Sequence, residues 1–163
     1  MTVPIVVTKC FRSGVAAGIT VSTDIVKVAR EWIGTPYHHQ AALKGIGCDC
    51  IGLLIGVWRE IIGNLPVEPP VYSPQWHLHQ KESQLISVLE NSYGFKRINC
   101  SNPPSGSVLC MGLRKGPAHH AGIATGDNTF IHSFMTAKKV VEVTLDSDWR
   151  SRTHAVLVYP GVV

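Results

Sequence analysis

The apolar positions of the chain change period once. In "STDIVKVAREWIGTPY", beginning at Ser22, the residues Ile25, Val28, Ala29 and Trp32 recur at the i, i+3, i+4, i+7 spacing of one helix face. Ser22 or Thr23 can cap that helix, and Gly34 and Pro36 stop it. After the glycine-rich "LKGIG" turn, a second helix is predicted to start near Asp49 or Cys50 and to continue through "IGLLIGVWREI" to Gly63. Ile51, Leu54, Ile55, Trp58 and Ile61 cover so broad a face that this helix is expected to be central and nearly buried. The proline-rich "LPVEPPVYSPQW" cannot be regular structure. A third, amphipathic helix is predicted over "HLHQKESQLISVLENSYG", with Leu85, Val88 and Leu89 inward and Gly94 at its end.

From Gly94 onward the period turns strand-like. "FKRIN", "GSVLCMGL", "HHAGIAT", "TFIHSF", "KKVVEVTL" and "THAVLVYP" are short, rich in β-branched residues and separated by Gly, Asn, Asp or Pro. Helices first and strands afterwards indicate an α+β domain, its antiparallel sheet packed against the central helix. "GDN" reads as a hairpin turn in which Gly126 and Asn128 take positive φ, so the strands on either side of it lie next to each other.

At 163 residues the chain has the length of one domain, and 45% hydrophobic against 16% charged residues describes a folded globule rather than a disordered chain. No stretch approaches the roughly 20 unbroken apolar residues of a membrane span. The net charge of +4 is spread in pairs such as Lys96 with Arg97 and Lys138 with Lys139, without the basic stripe and interleaved aromatics of a nucleic-acid surface. Neither nucleic acid nor membrane is expected as a partner. Five cysteines, an odd number without framework spacing, point to a reduced chain with at least one free thiol. Lys9 and Arg12 interrupt the apolar N-terminus, and Lys9 stands where a lipidation site at Cys10 would need a small residue, so no export signal is expected.

The stretch "YHHQAALKGIGCDCIGLLIGVWREI" concentrates the candidate chemistry. Cys48, Cys50, His38 and His39 offer zinc-binding atoms, but structural zinc favours C-x2-C spacing and adjacent histidines rarely share an ion; a redox pair would again call for C-x-x-C. Cys50, at the first turn of a helix, is where free N–H groups and the positive dipole end stabilise a thiolate. Cys48 reads as a bystander in the loop before it. A nucleophile needs a base, and the base needs an orienting partner. Period-two alternation puts His120, Gly122 and Ala124 on one face, where small residues would let the central helix approach, and His119 on the other; across the hairpin, His132 shares a face with Phe130 and Phe134. His119 competes with His120 as base. His38, His39, His77 and His79 are expected to be non-catalytic.

In order and spacing, "GTPYHHQ", "DCIGLL", "GSVL", "HAGIAT" and "FIHS" resemble the NlpC-type cell-wall cysteine peptidases, papain-like hydrolases of peptidoglycan stem peptides. The pattern covers roughly residues 23 to 159, which leaves 1–22 as an N-terminal extension of unknown role and 23–163 as the peptidase domain. The "YHHQ…VWRE" block is similar to the phage and prophage tail-associated branch. This resemblance implies Cys50 as nucleophile, His120 as base and His132 as its orienting residue. It implies further that Tyr37 lies beside the nucleophile, that Asp49 helps bind substrate and that the Cys50 N–H serves as an oxyanion donor. Ile51 stands where the family commonly has serine, which marks a difference in substrate binding. The implied partner is peptidoglycan or its peptide fragments, with phage tail proteins as a further one; no cofactor or metal is called for. The bond implied joins D-γ-glutamate to the diamino acid. The missing signal suits a protein cytoplasmic when made and carried to the wall in a virion tail. Two rival readings are a tail assembly protein that uses the fold for docking and a cysteine acyltransferase.

Overall fold

Asp49 begins the helix on which the rest of the domain is built. Its side chain accepts the Gly52 N–H at 2.8 Å and so caps α2 (Cys50–Ile61). Gly52 and Gly56 each cost the helix about 1 kcal/mol relative to alanine. Burial of Leu53, Leu54, Val57 and Trp58, at roughly 1.5–3 kcal/mol for a fully buried large side chain, outweighs that. The glycines have a use as well: a Cβ on Gly52 would lie 1.8 Å from the Ala41 carbonyl oxygen, and one on Gly56 would lie 2.0 Å from the Trp32 ring.

The computed structural model describes residues 22–75 and 82–162. The N-terminal extension up to residue 21, with Cys10, lies outside the described residues, as do His77 and His79. Before α2 come α1 (Ser22–Glu31), which buries Ile25, Val26 and Ala29, and a hairpin of two-residue strands, β1 (Ala42–Leu43) and β2 (Gly47–Cys48). Cys48 is therefore a fully buried strand residue, not a loop bystander. Beyond α2 the helix α3 (Gln84–Asn91) is shorter than its pattern predicts, because Ser83 caps it by accepting the Ile86 N–H. Its inward residues are Leu85, Ile86 and Leu89; Val88 is exposed, since one turn of 3.6 residues rotates it off the buried face.

Six strands follow: β3 (Lys96–Ile98), β4 (Val108–Gly112), β5 (Ala118–Ala124), β6 (Thr129–Phe134), β7 (Lys139–Thr144) and β8 (Thr153–Val158). They form one antiparallel sheet in the order β3-β8-β4-β5-β6-β7, and a short helix, α4 (Ser147–Ser151), precedes β8. The expected α+β architecture is what the chain adopts. Gly126 and Asn128 close the β5–β6 hairpin with φ of 91° and 59°.

The two sheet faces carry different cores. Ala121, Ile123, Ile131 and Leu157 pack with Leu53 and Val57 of α2 and with Ile25 of α1. Leu109, Met111, Ala124 and Phe130 form a second cluster, closed by Leu145 and by Trp149 of α4. Gly122 serves this second cluster. A Cβ there would lie 2.7 Å from Phe130 Cδ2 and 3.2 Å from His132 Cβ, so the space it leaves is taken by β6 and not, as its alternation with His120 predicts, by the central helix.

Candidate active site

The ladder between β5 and β6 is short, pairing Ile123 with Ile131 and Ala124 with Phe130. Ala124 donates its N–H to Ser107 on the β4 side, so by alternation the Ala121 N–H faces β6. Instead of meeting a β6 carbonyl, this N–H lies close enough to the Cys50 thiol to lower its pKa, as do those of Ile51 and of Cys50 itself. Ser133 of β6 donates its hydroxyl to the Cys48 carbonyl at 2.7 Å. The N-terminus of α2 thus enters where the two strands part, and sets the thiol against the peptide that joins His120 to Ala121.

On the histidine side, His120 Nε2 and His132 Nδ1 lie 2.7 Å apart. His132 is fully buried, with its ring stacked on Phe134 and edge-on to Trp149 at 5.3 Å between centroids. Its Nε2 has no hydrogen-bond partner among the described residues. His119 takes another direction, donating Nδ1–H to the Pro117 carbonyl at 3.2 Å. The structure therefore brings together His120 and His132, and the strand that carries His120 also holds Cys50.

Burial sets the resting protonation state. It pushes the Cys50 thiol up to about 12, reinforced by the Asp49 carboxylate and opposed by the three N–H groups. Burial pushes His120 down to about 3, helped by His132, His119 and the Arg152 charge, and pushes His132 down to about 4. At neutral pH the thiol is protonated and both imidazoles are neutral.

Asp49 is 2% exposed. Both of its oxygens are engaged: one caps Gly52, and the other accepts the Gln40 N–H at 2.8 Å and the Tyr72 hydroxyl at 2.6 Å, with His39 Nδ1 at 3.5 Å. Read from the sequence as a substrate-binding side chain, Asp49 is placed by the structure as the hub that holds the nucleophile's helix to the preceding loop. Tyr37 lies within electrostatic reach of Cys50 and Asp49, and burial together with these two groups raises its pKa. Ile51 is half-buried against the α2 core.

Tyr72 and Trp149 are site residues that the sequence reading misses. Tyr72 comes from the proline-rich stretch, where no period marks an inward position; its carbonyl accepts from His39 Nε2 at 2.9 Å. Trp149 sits on α4, whose only sequence mark is the cap Asp146 accepting the Trp149 N–H. Among the described residues no group of His, Cys, Asp and Glu side chains is arranged to hold a metal ion.

A thiol at a helix N-terminus, packed on an antiparallel sheet whose strands β5 and β6 present paired imidazoles, defines the papain-like class of fold. Residues 34–158 match the NlpC/P60 family, and the chain belongs to that family. Solved structures agree on the fold. The NlpC/p60 domain of the peptidoglycan hydrolase SagA is 22% identical with a TM-score of 0.56, over 84% of this chain and 97% of that one. An NlpC/P60 family protein from Bacillus cereus is 17% identical with a TM-score of 0.61, over 87% of this chain and 41% of that one. The peptidoglycan hydrolase RipB from Mycobacterium tuberculosis is 16% identical with a TM-score of 0.51, over 83% of this chain and 62% of its own. No curated protein matches the sequence.

Proposed function

We propose that the protein is a cysteine peptidase that hydrolyses peptidoglycan stem peptides, at the amide between D-γ-glutamate and the diamino acid. The observation that carries this reading is the placement of the Cys50 thiol, at the N-terminus of α2, next to the Ala121 N–H of the strand whose preceding residue, His120, pairs with His132 of β6 at 2.7 Å. Family membership and the peptidoglycan hydrolases among its structural neighbours supply the substrate class.

In the proposed cycle His120 Nδ1 accepts the thiol proton as sulfur bonds to the amide carbonyl carbon. That role requires His120 to carry its resting proton on Nε2 and to donate it to His132 Nδ1, which leaves the proton of His132 on the buried Nε2. The tetrahedral oxygen is held by N–H groups of the first turn of α2, that of Cys50 among them. His120 passes its proton to the leaving nitrogen, the C–N bond breaks, and an acyl thioester remains on Cys50. Water, deprotonated by His120, then attacks the thioester and releases a carboxylate and the free thiol.

Incubating the wild-type protein and Cys50→Ala with purified peptidoglycan fragments, with products followed by mass spectrometry, tests the proposal. The expected result is cleavage by the wild type alone. Intact fragments with both proteins across a range of pH would rule it out and favour the docking reading. Transfer of the acyl group to an added amine, with no free acid formed, would instead indicate an acyltransferase.

A further inference from the structure

Among the described residues Arg30, Arg59, Arg97, Arg114 and Arg152 each stand against a carboxylate. Arg150 does not. Its hydrogen bonds run from Nε to the Leu145 carbonyl at 3.1 Å, from Nη1 to the Ser101 carbonyl, and from Nη2 to the side-chain oxygens of Asn102 and Asn128. Every one of these acceptors is neutral, so the guanidinium is fixed in place with its charge unmatched. A guanidinium has five N–H groups, which leaves one on Nη1 for a further acceptor.

This side chain borders a pocket of about 560 Å³ on the sheet face away from α2, between α4 and the segment that follows β3. Ile98, Leu145 and Val156 of the second core form its floor, and Asn99, Ser101, Thr153 and His154 form its rim. No aspartate or glutamate lines it. Arg97 is the other arginine there, but Glu90 already holds it with bonds of 2.8 and 3.1 Å. The volume speaks against a bare ion. An inorganic anion would use the guanidinium alone, whereas sites for organic ligands run to about 300–1,000 Å³ and combine an apolar lining with a few placed polar groups. A saccharide has this double character, with C–H groups on its ring faces and hydroxyls around its edge. The floor suits the first and the rim the second. The unmatched charge adds the demand for a carboxylate, which a fixed arginine meets with a charge-assisted bond and little further loss of rotamer freedom.

We propose that this pocket binds an acidic sugar of the wall polymer, with the carboxylate at Arg150 and the ring over Ile98, Leu145 and Val156. The choice of polymer rests on the proposed function; the pocket itself does not depend on Cys50. A glycan held here keeps the polymer on the enzyme between cuts.

The test follows the backbone amides of the isotope-labelled full chain by NMR. N-acetylmuramic acid and N-acetylglucosamine, which differ by one carboxylate-bearing ether, are titrated in turn to about 10 mM, enough to fill most of a site whose Kd is about 1 mM. The acid is expected to shift the amides of Ser101, Thr153 and His154 and to bind about tenfold more tightly than the neutral sugar, the scale of one hydrogen bond to a charged group. Arg150→Gln should remove that preference. Asn99→Asp brings a carboxylate to the rim and should lower the preference by about threefold. Asn99 is exposed, so its variant is expected to fold and decides the matter if Arg150→Gln does not. Equal affinity for the two sugars, a preference that neither variant changes, shifts confined to other amides, or equal shifts with inorganic phosphate would each overturn the site. Binding lost in Cys50→Ala would put the sugar in the active site and overturn it too. Binding kept there, beside a wild type that cleaves no stem peptide, would leave the pocket standing and remove the peptidase reading alone.

Discussion

The two halves of the candidate site are held by different forces. Around the nucleophile, geometry is set by directional bonds: Asp49 takes the Gly52 and Gln40 N–H groups and the Tyr72 hydroxyl, each within 2.8 Å. Around the base there is one hydrogen bond, between His120 and His132, inside a box of rings from Phe130, Phe134 and Trp149. Hydrogen bonds fix where the thiol stands. The aromatic box holds His120 neutral by keeping water away, and the Arg152 charge over Trp149 acts in the same direction. A variant on the first side should therefore be felt mainly as lost stability, and one on the second mainly as altered proton chemistry.

The largest effect expected on the histidine side is on rate. Removing a general base costs about 10²–10⁴-fold, so His120→Ala should lower kcat for stem-peptide cleavage by that order, beside a stability loss of about 1–3 kcal/mol from the His132 Nδ1 it leaves unpaired. A kcat that falls no further than unfolding accounts for would break the contrast. On the thiol side, Asp49→Ala removes a helix cap and leaves the Gln40 N–H and the Tyr72 hydroxyl without their acceptor. A cap is worth about 1 kcal/mol and each of the two orphaned groups about 1–3 kcal/mol, so a loss of about 3–7 kcal/mol is expected in urea unfolding. A loss under 1 kcal/mol would mean that water replaces the carboxylate. Smaller again is Gly122→Ala, whose methyl would meet Phe130 and His132; overpacking of this kind costs about 1–3 kcal/mol. Because the displaced group is the imidazole paired with His120, the proposed function predicts that kcat drops more than the stability change accounts for.

Those two halves also differ in how far the sequence announces them. α1, α2 and the six strands follow from the change of period, and Cys50 at a helix start follows from the "LKGIG" turn and Asp49. The pairing of His120 with His132 follows from alternation across the hairpin. What stays hidden depends on register and on contacts distant in sequence. The β1–β2 hairpin pairs only two residues on each strand, too few to show a period. α4 is five residues long and buries none of them fully, so Trp149 has no apolar rhythm around it. Tyr72 reaches Asp49 from 23 residues away. The parting of β5 from β6, which lets the thiol in, is a matter of where a ladder stops, and alternation along one strand carries no sign of it.

The finest test of the contrast is the pH dependence of stability. His120 and His132 have folded-state pKa values of about 3 and about 4, below the ordinary 6.5. The unfolded chain therefore binds more protons than the folded one as pH falls beneath 6.5, and the stability these rings contribute, complete above 6.5, is lost progressively toward pH 4. The carboxylates with resolved shifts, Glu31 and Glu142, are lowered from 4.5, so their contribution is lost mainly as the pH approaches and passes below that value. Between pH 6.5 and 5 the slope of melting temperature against pH should thus be carried chiefly by the histidine box. His132→Gln removes one of its two titrating rings and should flatten that slope, whatever it does to the absolute melting temperature. An unchanged slope would mean that the proton is taken up elsewhere, and that the rings around His132 do not hold it neutral.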